Sequence, residues 1–118
     1  MEYLETSEEE VIKYLDLFNI EPTEIIEQNL ICYKLFKKRK LAEIVESPKA
    51  SGSISINRFI EFNNSKYEII SINDNAFFNS QITSLKISPD SAIKSIGNFA
   101  FEKSNLNDLF IPMSVVEI

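Results

Sequence analysis

The sequence predicts an α+β chain: a short N-terminal helical unit, then a β-hairpin and about two units of a repeating β-solenoid. Three observations lead there. Apolar residues before position 46 recur at helical spacing, residues 54–72 alternate, and after residue 70 the chain resembles itself at an offset of 24 residues.

The helical unit covers residues 1–46. Ser7 followed by Glu10 has capping-box spacing, and Glu8, Glu9 and Glu10 suit the positive end of a helix. Val11, Leu15 and Phe18 then share one face. Pro22 interrupts, and Thr23 is placed to cap a second helix with Glu24 and Glu27 in its first turn. Its apolar side uses Ile26, Leu30 and Tyr33, with Ile31 and Leu35 nearby. Leu41, Ile44 and Val45 indicate a third, short helix. Residues 47–53, Ser-Pro-Lys-Ala-Ser-Gly-Ser, read as a linker because they lack large apolar groups. Beyond them Ile54-Ser55-Ile56 and Tyr67-Glu68-Ile69 alternate around Asn63-Asn64-Ser65-Lys66, which predicts a hairpin over 54–72.

The repeat fills the remainder of a third unit, 54–118. Ser71-Ile72-Asn73-Asp74-Asn75-Ala76-Phe77 returns as Ser95-Ile96-Gly97-Asn98-Phe99-Ala100-Phe101. In the same frame Ser80 meets Ser104, Ile82 meets Leu106, Leu85 meets Leu109 and Ile87 meets Ile111. A unit this short cannot enclose its own apolar face and must stack on a copy of itself. Ile82, Leu85 and Ile87 are expected to point inward, Pro89 to end their strand, and Phe77 and Phe101 to fill the interior.

Ile93 to Val115 follows I-x-x-I-G-x-x-A-F-x-x-S-x-L-x-x-L-x-I-P-x-S-V, and Ile69 to Ala92 follows it less closely. This pattern resembles the leucine-rich repeat of the BspA-like surface-protein family. The resemblance covers residues 54–118, with Asn73 where Gly is usual, Ser80 and Ser104 where Cys is common, and Ser88-Pro89 for Ile-Pro. It implies surface attachment or adhesion through protein contacts. Residues 7–46 are similar to the C-terminal half of a BTB/POZ domain, in Val11 to Leu15, Ile20-Glu21, Asn29-Leu30, Tyr33-Lys34-Leu35 and Leu41 to Ile44. That similarity implies an adaptor.

Composition excludes several chemistries. The chain has no histidine, so triads built on it are impossible, and with one cysteine it has no usual zinc ligand set. Two glycines make no phosphate loop. No catalytic, cofactor-binding or metal-binding residue is expected. Twelve bases against eighteen acids give a net charge of −6, which argues against general affinity for nucleic acid. With no basic-then-apolar leader and no apolar run long enough to span a membrane, the chain reads as cytoplasmic, whereas the family resemblance points to the cell surface.

The expected function is noncatalytic binding of a protein partner on the strand face. Outward positions Ser84, Lys86, Asp108 and Phe110 are the candidate contacts, with Lys86 and Phe110 as ladder neighbours. The alternative uses Lys37, Lys38, Arg39 and Lys40 as an import signal or nucleic-acid contact, against a solvated helix end as the plain reading. Ile118 falls midway through a repeat motif, so the chain is expected to be truncated, with an open edge able to pair with another copy.

Overall fold

The computed structural model describes residues 21–118. The helix expected between Ser7 and Phe18 lies outside the described residues. Among the described residues there is no helix, and the α+β class is overturned in favour of an all-β one.

The stretch expected to hold the second and third helices forms three strands: β1 (Thr23–Gln28), β2 (Ile31–Phe36) and β3 (Leu41–Val45), each antiparallel to the next. Ile26, Leu30 and Tyr33 do fall at helical spacing, but the segment is rich in β-branched and aromatic residues. Its burial follows a period of two: Ile31, Tyr33 and Leu35 in β2, Ala42 and Ile44 in β3. Asn29 and Leu30 both take positive φ, 51° and 69°, the backbone of a tight two-residue hairpin loop. Lys37 to Lys40, read from sequence as a helix end, are the turn between β2 and β3, closed by the Lys40 N–H donating to the Phe36 carbonyl at 2.9 Å. The similarity of residues 7–46 to a BTB/POZ domain loses its basis with these helices.

From β3 onward the chain winds. β3 runs through a corner at residues 46–50 into β4 (Ser51–Ile56). After a detour the same path recurs in β6 (Ser65–Ile72) and β7 (Gln81–Ile87), then in β8 (Ser95–Ile96) and β9 (Asp108–Phe110). Successive turns stack in parallel, as two sheets meeting at the corner: β3–β6–β8 on one side and β4–β7–β9 on the other. The offset of 24 seen in the sequence is the register itself, with Ser71 beside Ser95, Ile72 beside Ile96 and Leu85 beside Leu109. Residues 41–56 are thus an earlier coil, without the Ala-Phe motif. The detour is β5 (Phe59–Phe62), which pairs antiparallel with the start of β6 across Asn63 and Asn64, again at positive φ. The hairpin foreseen over 54–72 keeps its turn but not its first arm, because Ile54 and Ile56 face Leu85 and Ile87 in the other sheet.

The core lies between the two sheets. Ile44, Ile72 and Ile96 stack along one side, Ile54 and Leu85 along the other, with Ile56 over Ile87. Ala50, Ala76 and Ala100 line the corner, where backbone bonds tie coil to coil: Ser47 N–H to the Ala76 carbonyl and Phe77 N–H to that of Ala100, both at 2.7 Å. Phe77 is fully buried and its ring stacks on that of half-buried Phe101, 5.9 Å between centroids and 3° from parallel. Gly97 is demanded by crowding: a Cβ there would collide with the backbone nitrogen and carboxylate of Asp74. Asn73, one coil back, replaces that closeness with two side-chain bonds, accepting from Ser71 Oγ at 2.7 Å and donating to Glu43 at 3.1 Å. Ser80 Oγ is buried with no hydrogen-bond partner among the described residues.

Three outcomes follow from this packing. Phe77→Ala should lose about 3–5 kcal/mol, seen as a lower urea midpoint, because the ring fills the corner at every contact. Leu30→Gly should gain about 1 kcal/mol by the same assay, since Leu30 is solvent-facing and carries a left-handed backbone that glycine adopts without strain. Burial pushes the Tyr33 phenol from 10.0 up to about 12. A raised folded pKa favours the protonated form, so this contribution is whole below pH 10 and is lost as pH climbs from 10 to about 12. Tyr33→Phe should flatten that part of an alkaline stability profile.

Candidate partner-binding face

The outer face of the β4–β7–β9 sheet carries the residues singled out from sequence. Ile82, Leu85 and Ile87 of β7 turn inward, so the residues between them turn out. Parallel register aligns two rows across three coils, Ser53–Ser84–Asp108 and Ser55–Lys86–Phe110. Lys86, Asp108 and Phe110 are exposed, whereas Ser84 is half-buried. Phe110 shows half of its surface, and Leu109, which the repeat turns toward the core, is 41% exposed at this last described coil. Small hydroxyl side chains in coils 41–56 and 81–88 leave Lys86 and Phe110 standing above a low surface. Beyond the sheet Ser88 Oγ donates to the Asp90 carboxylate.

The four basic residues 37–40 occupy one turn, three of them meet nearby acidic groups, and Lys40 Nζ lies 5.3 Å from the centroid of the Tyr67 ring. Lys37 Nζ lies 2.9 Å from a Glu24 carboxylate oxygen. Glu21 accepts from the backbone N–H groups of Lys38 at 3.2 Å and Arg39 at 3.0 Å, and pairs with the Arg39 guanidinium. Burial acts to raise the Glu21 pKa, but the Arg39 and Lys38 donors outweigh it and hold the carboxyl below its ordinary value.

A second polar surface, missed from sequence, runs over the outside of the β3–β6–β8 sheet. A groove of about 650 Å³ there is bounded by Glu43, Arg58, Glu68, Asn73 and Lys94. Arg58 bridges to Glu68 at 2.9 Å. These residues are scattered through the sequence and meet only because β3 is a strand in register with β6. With β3 read as helix, no signal could have assembled them.

Among the described residues no three of Cys, Asp or Glu cluster as metal ligands, and the sulfur of half-buried Cys32 lies 4.0 Å from a Glu27 carboxylate oxygen. No helix among the described residues is long and apolar enough to cross a membrane.

Parallel coils of about 24 residues, each with two short strands meeting at a corner, make this end of the molecule a solenoid. A leucine-rich repeat protein from Bacteroides capillosus ATCC 29799 has this fold over 78% of the present chain and 68% of its own, with a TM-score of 0.65 at 16% identity. One from Bacteroides ovatus ATCC 8483 matches 76% of the chain at a TM-score of 0.58 and 28% identity. A leucine-rich cell surface protein from Faecalibacterium prausnitzii A2-165 matches 85% at a TM-score of 0.53 and 23% identity. The chain spans only 24% and 33% of the lengths of these last two. No protein-family model and no curated protein matches the chain. The resemblance of residues 54–118 to BspA-like repeats is therefore met by the fold.

Proposed function

We propose that this chain is a noncatalytic protein-interaction module, and that the outer β4–β7–β9 face contacts the partner. The observation that carries this reading is the register that sets Lys86 beside Phe110, above a row of small serines. An exposed ring beside a cation, with an acid in the next row, is the kind of anchor that dominates protein interfaces. Its mechanism is surface complementarity: the ring fills a partner pocket while Lys86 and Asp108 fix orientation. The description of the Faecalibacterium protein as a cell surface protein supports a surface setting, and the partner is then sought outside the cell.

A photo-reactive side chain placed at position 55, the neighbour of Lys86 in the ladder, tests the reading in the source cells. A discrete protein adduct is expected, disappearing when Phe110→Ser and Asp108→Lys are introduced together. The same probe at Lys49, in the corner, should give no such adduct. Equal adducts at both positions, or one indifferent to the Phe110 and Asp108 changes, would sink the proposal.

A further inference from the structure

A sheet that does not close ends in strands with one bare side, whose N–H and C=O groups are a template for a further strand. The two sheets have four such ends, β1 and β5 in one and β4 and β9 in the other. Two of these come together, since Gln28 Nε2 at the end of β1 donates to the Glu61 carbonyl of β5 at 2.7 Å. β1 also carries Glu24 and Glu27, and β5 carries Glu61, charges that resist pairing with another strand. β9 is three residues long and includes Asp108. β4, Ser51-Gly52-Ser53-Ile54-Ser55-Ile56, has six residues, no charge and no proline.

The β4 backbone is turned in a defined way. The Gln81 and Ser88 N–H groups donate to the Ala50 and Ile56 carbonyls at 3.1 and 2.9 Å, so the even-numbered residues of this segment bond to β7. Backbone groups alternate from side to side along a strand, which turns those of Ser51, Ser53 and Ser55 away from β7. Among the described residues no strand pairs with that side. The three serines are exposed, whereas Ser84, beside Ser53 but with a strand on each side, is half-buried. Ile54 and Ile56 between them are buried.

We propose that β4 accepts an extended peptide segment of a partner protein as an added strand, held through the backbone of Ser53 and Ser55. Apolar side chains of the segment face inward beside Ile54 and Ile56, and the others continue the rows Ser53–Ser84–Asp108 and Ser55–Lys86–Phe110. The strand pattern of β7 meets this need, with Ile82, Leu85 and Ile87 inward and uncharged or single basic residues between. One strand suits the place better than a second copy of the chain. The β1–β2 hairpin stands at the start of this edge, where the Cys32 N–H donates to Ser47 Oγ at 2.8 Å and Lys49 Nζ lies 3.8 Å from Glu27. Two molecules meeting edge to edge would bring two such hairpins into the gap, whereas one strand needs about 4.8 Å. The inference rests on the edge of the sheet and not on the outer face proposed above.

The test is fluorescence anisotropy of a labelled peptide with the β7 sequence, Gln-Ile-Thr-Ser-Leu-Lys-Ile, titrated with the full chain. Saturable binding is expected. Ser55→Lys and, separately, Ser55→Pro should each weaken it roughly tenfold, the first by charging the edge and the second by removing the N–H that faces it. Circular dichroism confirms that each variant is folded. N-methylation of alternate peptide amides should abolish binding for one set and spare it for the other, because an added strand offers only one side to β4. Phe110→Ser should leave binding unchanged, which separates this outcome from that of the outer face. No saturable binding overturns the proposal, as do equal losses from both methylated sets or an equal loss from Phe110→Ser. Binding that emerges only after Val11, Leu15 and Phe18 are changed to Ser overturns it by giving the edge to the chain's own N-terminal segment. A dimer in light scattering that Ser55→Lys dissolves overturns it in favour of a second copy.

Discussion

The bond between one coil's corner and the next is the constraint on which the structure depends. The Ser47 and Phe77 N–H groups reach the carbonyls of the buried alanines Ala76 and Ala100 at 2.7 Å. A larger side chain at Ala76 would separate the coils and break both sheet ladders that start from the corner. Given that contact, Phe77 has one place to go, into the interior against Phe101. The strands then inherit their register, and the alternation of β7 decides which of its residues look outward.

That register turns a repeated sequence into a surface. Residues one coil apart become neighbours at strand spacing, so any side chain that is outward in one coil sits beside its counterpart in the next. Lys86 and Phe110 meet in this way on one sheet, and Ser71 and Ser95 on the other. The antiparallel hairpins obey a different rule, since their loops are short, two residues in β1–β2 and β5–β6 and four in β2–β3, and their register follows from turn geometry. The molecule thus has two outer faces of different origin, one made by repetition and one by folding back.

How much of this was legible in the sequence depends on which rule governed each part. The offset of 24 was readable because Ser71 to Phe77 and Ser95 to Phe101 preserve both type and spacing, and the structure uses that offset as its pairing register. The inward side of Ile82, Leu85 and Ile87 was readable from alternation alone. Residues 23–45 were not, because Ile26, Leu30 and Tyr33 satisfy a helical period by coincidence while the strands' true period of two crosses two tight turns. The signal that could have corrected it was Asn29, a residue tolerant of left-handed backbone, between two runs rich in isoleucine and aromatic residues. The coil at 41–56 escaped notice because its corner has Glu46-Ser47 where the next coil has Ala76-Phe77, so neither residue of the motif is kept. The groove on the β3–β6–β8 side was out of reach as well, since it needs β3 in its place.

The left-handed positions record the repeat more faithfully than the side chains do. Asn75 and Phe99 share positive φ, and so do Asn79 and Lys103, each pair one coil apart although the residues differ in size and charge. The backbone path is thus copied where the chemistry is not. Because the bonds between coils run along the stacking direction, a pull along that axis loads them end to end. Such a chain yields one coil at a time, each release lengthening the tether before the next coil bears the strain.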